Sequence, residues 1–147
     1  MKHKLLFLVP VVIAVIFLSG CFGGKSTPAP SLSGSFSGQF TLFHRHSTTS
    51  PWDTLKASIT LTLSPAPGDS YAVTGDTSTV IAGSKGNYQL ATNGNFILFL
   101  DSTLPTTGIS SKVHLNGEYV YSYDGNTLQM LAGAPDTLQV QYNLKKN

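Results

Sequence analysis

The sequence predicts an all-β fold: eight antiparallel strands closed into an up-and-down barrel, with a candidate ninth strand at Thr79–Ala82. Three observations point there. Apolar residues recur with a period of two, the spacing that puts alternate side chains on one face of a strand. Clusters of Gly, Pro, Asn and Asp divide the alternating runs. No window carries a helical period, and no internal repeat is found.

The chain opens with Met1-Lys2-His3-Lys4, followed by an apolar run of 14 residues, Leu5 to Leu18, that contains Pro10. A membrane-spanning helix needs roughly 20 apolar residues. The run is therefore read as the apolar region of a cleaved export signal, 1–20, with the cut between Gly20 and Cys21. Residues 21–33 follow as a linker: Gly gives freedom, Pro gives extension, and almost nothing calls for burial. Its twelve residues from Phe22 to Ser33 reach up to about 40 Å.

The domain is expected over 34–147. Phe36, Gly38, Phe40 and Leu42 alternate with Ser35, Ser37, Gln39 and Thr41, giving a strand at 35–43. Leu55, Ala57, Ile59, Leu61 and Leu63 alternate with polar residues through 55–63. Shorter strands are read at 70–75, 86–91 and 95–100. A long one is read at 112–123, marked by Val113, Leu115, Gly117, Tyr119, Tyr121 and Tyr123, with Gly117 as a bend or bulge. Strands at 127–132 and 137–143 complete the set. Asn93-Gly94-Asn95 and Asp124-Gly125-Asn126 read as tight hairpins, and Pro65-Ala66-Pro67-Gly68-Asp69 as a chain break. In an up-and-down order, loops 44–54, 76–85, 101–111 and 133–136 share one end and the tight turns share the other. That arrangement predicts one narrow end and one open, loop-rich mouth, and closure hides the sheet edges.

Composition narrows the function. Nine Lys and Arg stand against seven Asp and Glu, but Lys2 and Lys4 leave with the signal, so the remaining 127 residues carry seven of each. A neutral domain has no electrostatic footprint for nucleic acid. Cys21 is the sole cysteine, so no disulfide forms within the chain.

Leu18-Ser19-Gly20-Cys21 resembles the lipobox of bacterial lipoproteins. The resemblance implies lipid attachment at Cys21 through a diacylglycerol thioether, and acyl chains that hold the protein to a membrane without spanning it. Phe22 follows, rather than Asp, which by the same resemblance argues against retention in the inner membrane; the periplasmic face of an outer membrane is expected, with surface display as the alternative. Gly34-Ser35-Phe36-Ser37-Gly38, the stretch Gly117 to Asn126 and the closing Tyr142-Asn143-Leu144-Lys145-Lys146 add to it. Together they resemble the small lipocalin-like lipoproteins of Gram-negative bacteria, especially those of Bacteroidota. The resemblance spans residues 34–147 and implies a lipocalin-like barrel with a ligand cavity; it brings no catalytic residues. The first-strand Gly-x-Trp of lipocalins is not present, since the one tryptophan, Trp52, falls in an expected loop.

Phe36, Phe40, Tyr71, Tyr88, Tyr119, Tyr121 and Tyr142 fall on inward phases. They either line a pocket for a small hydrophobic ligand or fill the core, because an eight-stranded barrel has room for side chains or one small ligand. Trp52 is expected to cap the mouth or to touch a protein partner. His44 and His46 would share a strand face, with Asp53, Asp76, Asp101 or His114 as a third metal ligand. Against a metal stand the absence of Cys partners and of a known ligand spacing. Catalysis has little support: no Gly-x-Ser-x-Gly elbow occurs, and Glu118 is the sole glutamate.

The expected role is thus a non-catalytic envelope lipoprotein, binding or structural, with no cofactor. A variant holds a small hydrophobic ligand at the mouth. A protein-interaction module such as a hydrolase inhibitor is the second class, and a metal-dependent enzyme built on His44 and His46 the third.

Overall fold

The structure, a computed structural model, describes residues 31–92, 95–133 and 136–147. The expected signal, its expected cut between Gly20 and Cys21, the expected lipid attachment at Cys21, residues 22–30 of the expected linker, and Asn93-Gly94 of one expected hairpin lie outside the described residues. Eight strands form one closed antiparallel ring in chain order: β1 (Gly34–His44), β2 (Asp53–Ser64), β3 (Ser70–Gly75), β4 (Lys85–Leu90), β5 (Phe96–Asp101), β6 (Gly117–Tyr123), β7 (Thr127–Ala132) and β8 (Leu138–Lys146). The architecture is an up-and-down barrel, consistent with a lipocalin-like one. β1 and β8 close it along a register from Phe36↔Lys146 to His44↔Leu138.

Alternation places the core. Phe36 and Phe40 on β1, Ile59, Leu61 and Leu63 on β2, and Tyr142 and Leu144 on β8 are buried, while the residues between them are more exposed. Each fully buried aliphatic side chain contributes about 1.5–3 kcal/mol. Leu32, ahead of β1, also packs into this core, so burial begins within the expected linker. At the narrow end, the Asp124 carboxylate accepts the amides of Asn126 and Thr127 at 2.8 and 2.6 Å, and Gly125 takes a φ of +99° that a side chain would resist.

Three local expectations change. The long strand at 112–123 does not form: β6 begins only at Gly117, whose φ of +90° turns the chain out of the ladder. The candidate ninth strand reduces to a single parallel bridge between Ile81 and Val113. Leu55, read as inward, is 44% exposed. β3 pairs with β2 only from Ile59 onward, so Leu55 lies beyond the β2–β3 ladder, while Ala57 on the same face is still buried.

Candidate functional site

The barrel interior is occupied by rings. Phe40 meets Tyr142 edge-on at 5.1 Å between centroids, Tyr142 meets Tyr119 at 5.7 Å, Tyr119 meets Phe99 at 5.8 Å and Phe99 meets Tyr71 at 4.8 Å. Tyr88 stands 6.3 Å from Phe99. T-shaped contacts of this kind add to area burial. The chain of rings crosses the lumen from β1 through β8, β6 and β5 to β3. Six of the seven aromatics expected inside are buried, Phe36 among them; Tyr121 is half-buried at the edge of the core. Phe99, which alternation alone did not single out, is the hub.

Three hydroxyls lie in this interior. Tyr71 Oη donates to the Leu115 carbonyl. Burial pushes the Tyr119 hydroxyl up to about 12 and raises those of Tyr71 and Tyr142 well above their ordinary value; the Asp101 charge adds to the rise at Tyr71. The Tyr119 and Tyr142 hydroxyls perturb each other, yet Tyr142 Oη has no partner at hydrogen-bond geometry.

The loop-rich end is closed by its own loops. Those after β3 and β5 are zipped together: Ala82 N donates to Val113 O at 2.8 Å, Val113 N to Val80 O at 2.9 Å, and Lys112 Nζ to Thr77 O at 2.7 Å. Ile81 and Leu115, both fully buried, are the stopper. The buried Ser84 hydroxyl accepts the Leu115 amide at 3.0 Å, so the stopper's backbone is satisfied. Across the rim, Arg45 N donates to Thr137 O at 3.0 Å, its Nε to Asp136 O, and its guanidinium lies over the Trp52 ring at 4.4 Å. Trp52 is 39% exposed. Ile109, at the tip of the loop after β5, is wholly exposed.

His44 and His46 have ring centroids 6.2 Å apart, and His44 Nε2 lies 3.9 Å from Asp53, which begins β2. Among the described residues, no three His, Cys, Asp or Glu side chains gather as a metal site.

Asp101 and His114 instead meet each other. His114 Nδ1 lies 2.7 Å from Asp101 Oδ2, and His114 Nε2 lies 3.0 Å from Ser110 Oγ. The other carboxylate oxygen of Asp101 accepts the Thr103 amide at 2.8 Å and hydroxyl at 2.6 Å. Burial pushes the Asp101 carboxyl up, but the bonds from Thr103, His114 and Ser84 outweigh it and hold the group below its ordinary value. Sequence reading placed Asp101 at the mouth and named His114 as a further possible metal ligand, but did not single out Ser110. The available signal was only three polar side chains within one expected loop and the start of the next strand.

On the outside, Phe96, Val120 and Leu131 stand on directly paired positions of β5, β6 and β7, each 41–50% exposed. The groove beside them is lined by Ser122, Gln129 and Gln141. Comparison of the chain with protein-family models, with curated proteins and with solved structures finds no match.

Proposed function

We propose that this chain is an envelope lipoprotein, lipid-anchored at Cys21 in an outer membrane, whose barrel is a rigid platform for binding a protein partner. One observation carries the reading: the lumen is filled by edge-to-face rings and stoppered by Ile81 and Leu115. A barrel packed this way has its recognition surface outside. At the loop-rich end, Trp52 and Ile109 are the exposed apolar candidates, and Arg45 holds the Trp52 ring in place. A pre-set aromatic anchor is what protein interfaces favour.

The test is chemical crosslinking of the full-length protein in isolated envelopes. Trp52→Ala and Ile109→Ser should each remove a discrete crosslinked partner, while Val120→Ser on the outer face should not. Native mass spectrometry of the detergent-purified protein is the counter-test. A co-purified hydrophobic molecule, displaced by retinoid-like or fatty-acid probes, would replace this reading with carriage of a small ligand.

A further inference from the structure

We infer that Ser110, His114 and Asp101 form a nucleophilic site that takes an acyl group from small esters with good leaving groups. This goes beyond the binding role and does not depend on it.

The inference begins with where one proton must sit. The Asp101 carboxylate has both oxygens engaged, and its side chain is wholly excluded from solvent. It is held ionised, so the hydrogen bond at 2.7 Å requires a proton on His114 Nδ1. Neutral His114 then has a bare Nε2, and the group facing it at 3.0 Å is the Ser110 hydroxyl. Ser110 Oγ accepts the Lys112 amide at 3.1 Å and lies 3.0 Å from the Lys112 carbonyl, so its single hydrogen has two acceptors. With His114 neutral the hydrogen points at Nε2; with His114 protonated it turns to the Lys112 carbonyl. The first arrangement is a hydroxyl with a positioned base, and the base is oriented by a buried carboxylate.

Placement suits small substrates. Ser110 is half-buried directly after the fully exposed Ile109, and the His114 side chain is 11% exposed, so the pair lies close beneath the protein surface. The charged and titratable groups around them are Asp101 from β5, Tyr71 from β3, and Lys112, whose ammonium is engaged by the Thr77 carbonyl. The Lys112 amide is committed to Oγ itself rather than to a developing oxyanion. The leaving group must therefore supply part of the driving force, which selects aryl and similarly activated esters.

The steps balance. Ser110 Oγ bonds to the acyl carbon as its proton passes to His114 Nε2. The carbon–oxygen bond to the leaving alcohol breaks, and the alcohol departs with that proton. Water then attacks the acyl–Ser110 ester, returning a proton through Nε2, releasing the carboxylic acid and restoring the hydroxyl. Asp101 is a positioning residue throughout.

The experiment treats detergent-purified full-length protein with a fluorophosphonate probe, whose phosphorus bonds to Oγ as fluoride leaves. One adduct per chain should map to the peptide containing Ser110, at a rate that rises with pH along a single ionisation. Ser110→Ala should abolish it. His114→Gln should slow it at least tenfold, and Asp101→Asn should slow it and change the pH profile. p-Nitrophenyl acetate should give an acetylated Ser110 in the same peptide. Failure to label Ser110 in a chain with an intact β-sheet spectrum would overturn the proposal. So would labelling that His114→Gln leaves unchanged, which would assign the three residues to fastening the loop.

Discussion

Phe40 and Tyr142 sit on directly paired positions of the two strands that close the ring, with their rings edge-on and centroids 5.1 Å apart. The closing seam is thus also the start of the aromatic chain that fills the lumen. Tyr142 carries a cost within it: a hydroxyl with no exposed surface and no hydrogen-bond partner. Removing that hydroxyl removes an unmet polar group but keeps the ring contacts. Tyr142→Phe should leave stability unchanged or raise it by up to about 1 kcal/mol. Tyr142→Ala, which empties the site, should cost about 3–5 kcal/mol. Equilibrium denaturation in urea reads both.

Leu115 gives a test of the stopper. Its side chain has no exposure, its amide is held by Ser84 and its carbonyl by Tyr71. Leu115→Ala should cost about 2–5 kcal/mol and admit an environment-sensitive dye that the unaltered barrel excludes. Loss of stability without dye uptake would mean that the ring chain alone seals the lumen.

At Gly86 the backbone of β4 runs so close to β5 that a Cβ would collide with the Leu100 carbonyl; at Gly38 a Cβ would collide with Asn143 of β8. Both obstacles are backbone and cannot swing away. Gly86→Ala and Gly38→Ala should each cost about 1–3 kcal/mol. Thermal melts should show it, with Gly68→Ala testing strain alone, because Gly68 has a φ of +121° and open space around it.

Alkali should open the barrel. Burial raises the hydroxyls of Tyr71, Tyr88, Tyr119 and Tyr142 above their ordinary value of 10.0. The folded state keeps these protons while the unfolded state releases them. Their contribution is therefore intact below pH 10 and is lost as pH rises from there through the folded values, Tyr119 at about 12. Tyrosinate absorbance from these four should rise together with loss of the β-sheet signal. Tyrosinate appearing well before unfolding would contradict the packed lumen.

Much of the ring was legible because period-two alternation and turn residues are local signals. Leu61 and Leu63 on β2, Tyr142 on β8 and the Asp124 turn all formed as their neighbours dictate. The stopper was not legible. Val113 and Leu115 alternate like a strand, but Gly117 adopts a positive φ, and Val113 instead finds Ile81 from a loop over thirty residues earlier. The Ser110–His114–Asp101 cluster was hidden for the same reason. The spacing between Asp101 and His114 has no meaning until the loop between them is folded, and only the zipping of that loop onto residues 80–82 sets its path.

The seam has a further consequence for assembly. Phe36 faces Lys146, and the Asn147 amide reaches back to the Ser35 carbonyl at 2.9 Å, so the ring cannot shut until residues 138–147 have been delivered. A nascent or truncated chain ending before Leu138 has β1 and β7 as two bare strand borders. Such borders pair with whatever extended chain is nearest. Loss of the last nine-residue strand should therefore yield self-associating sheets rather than a weakened monomer.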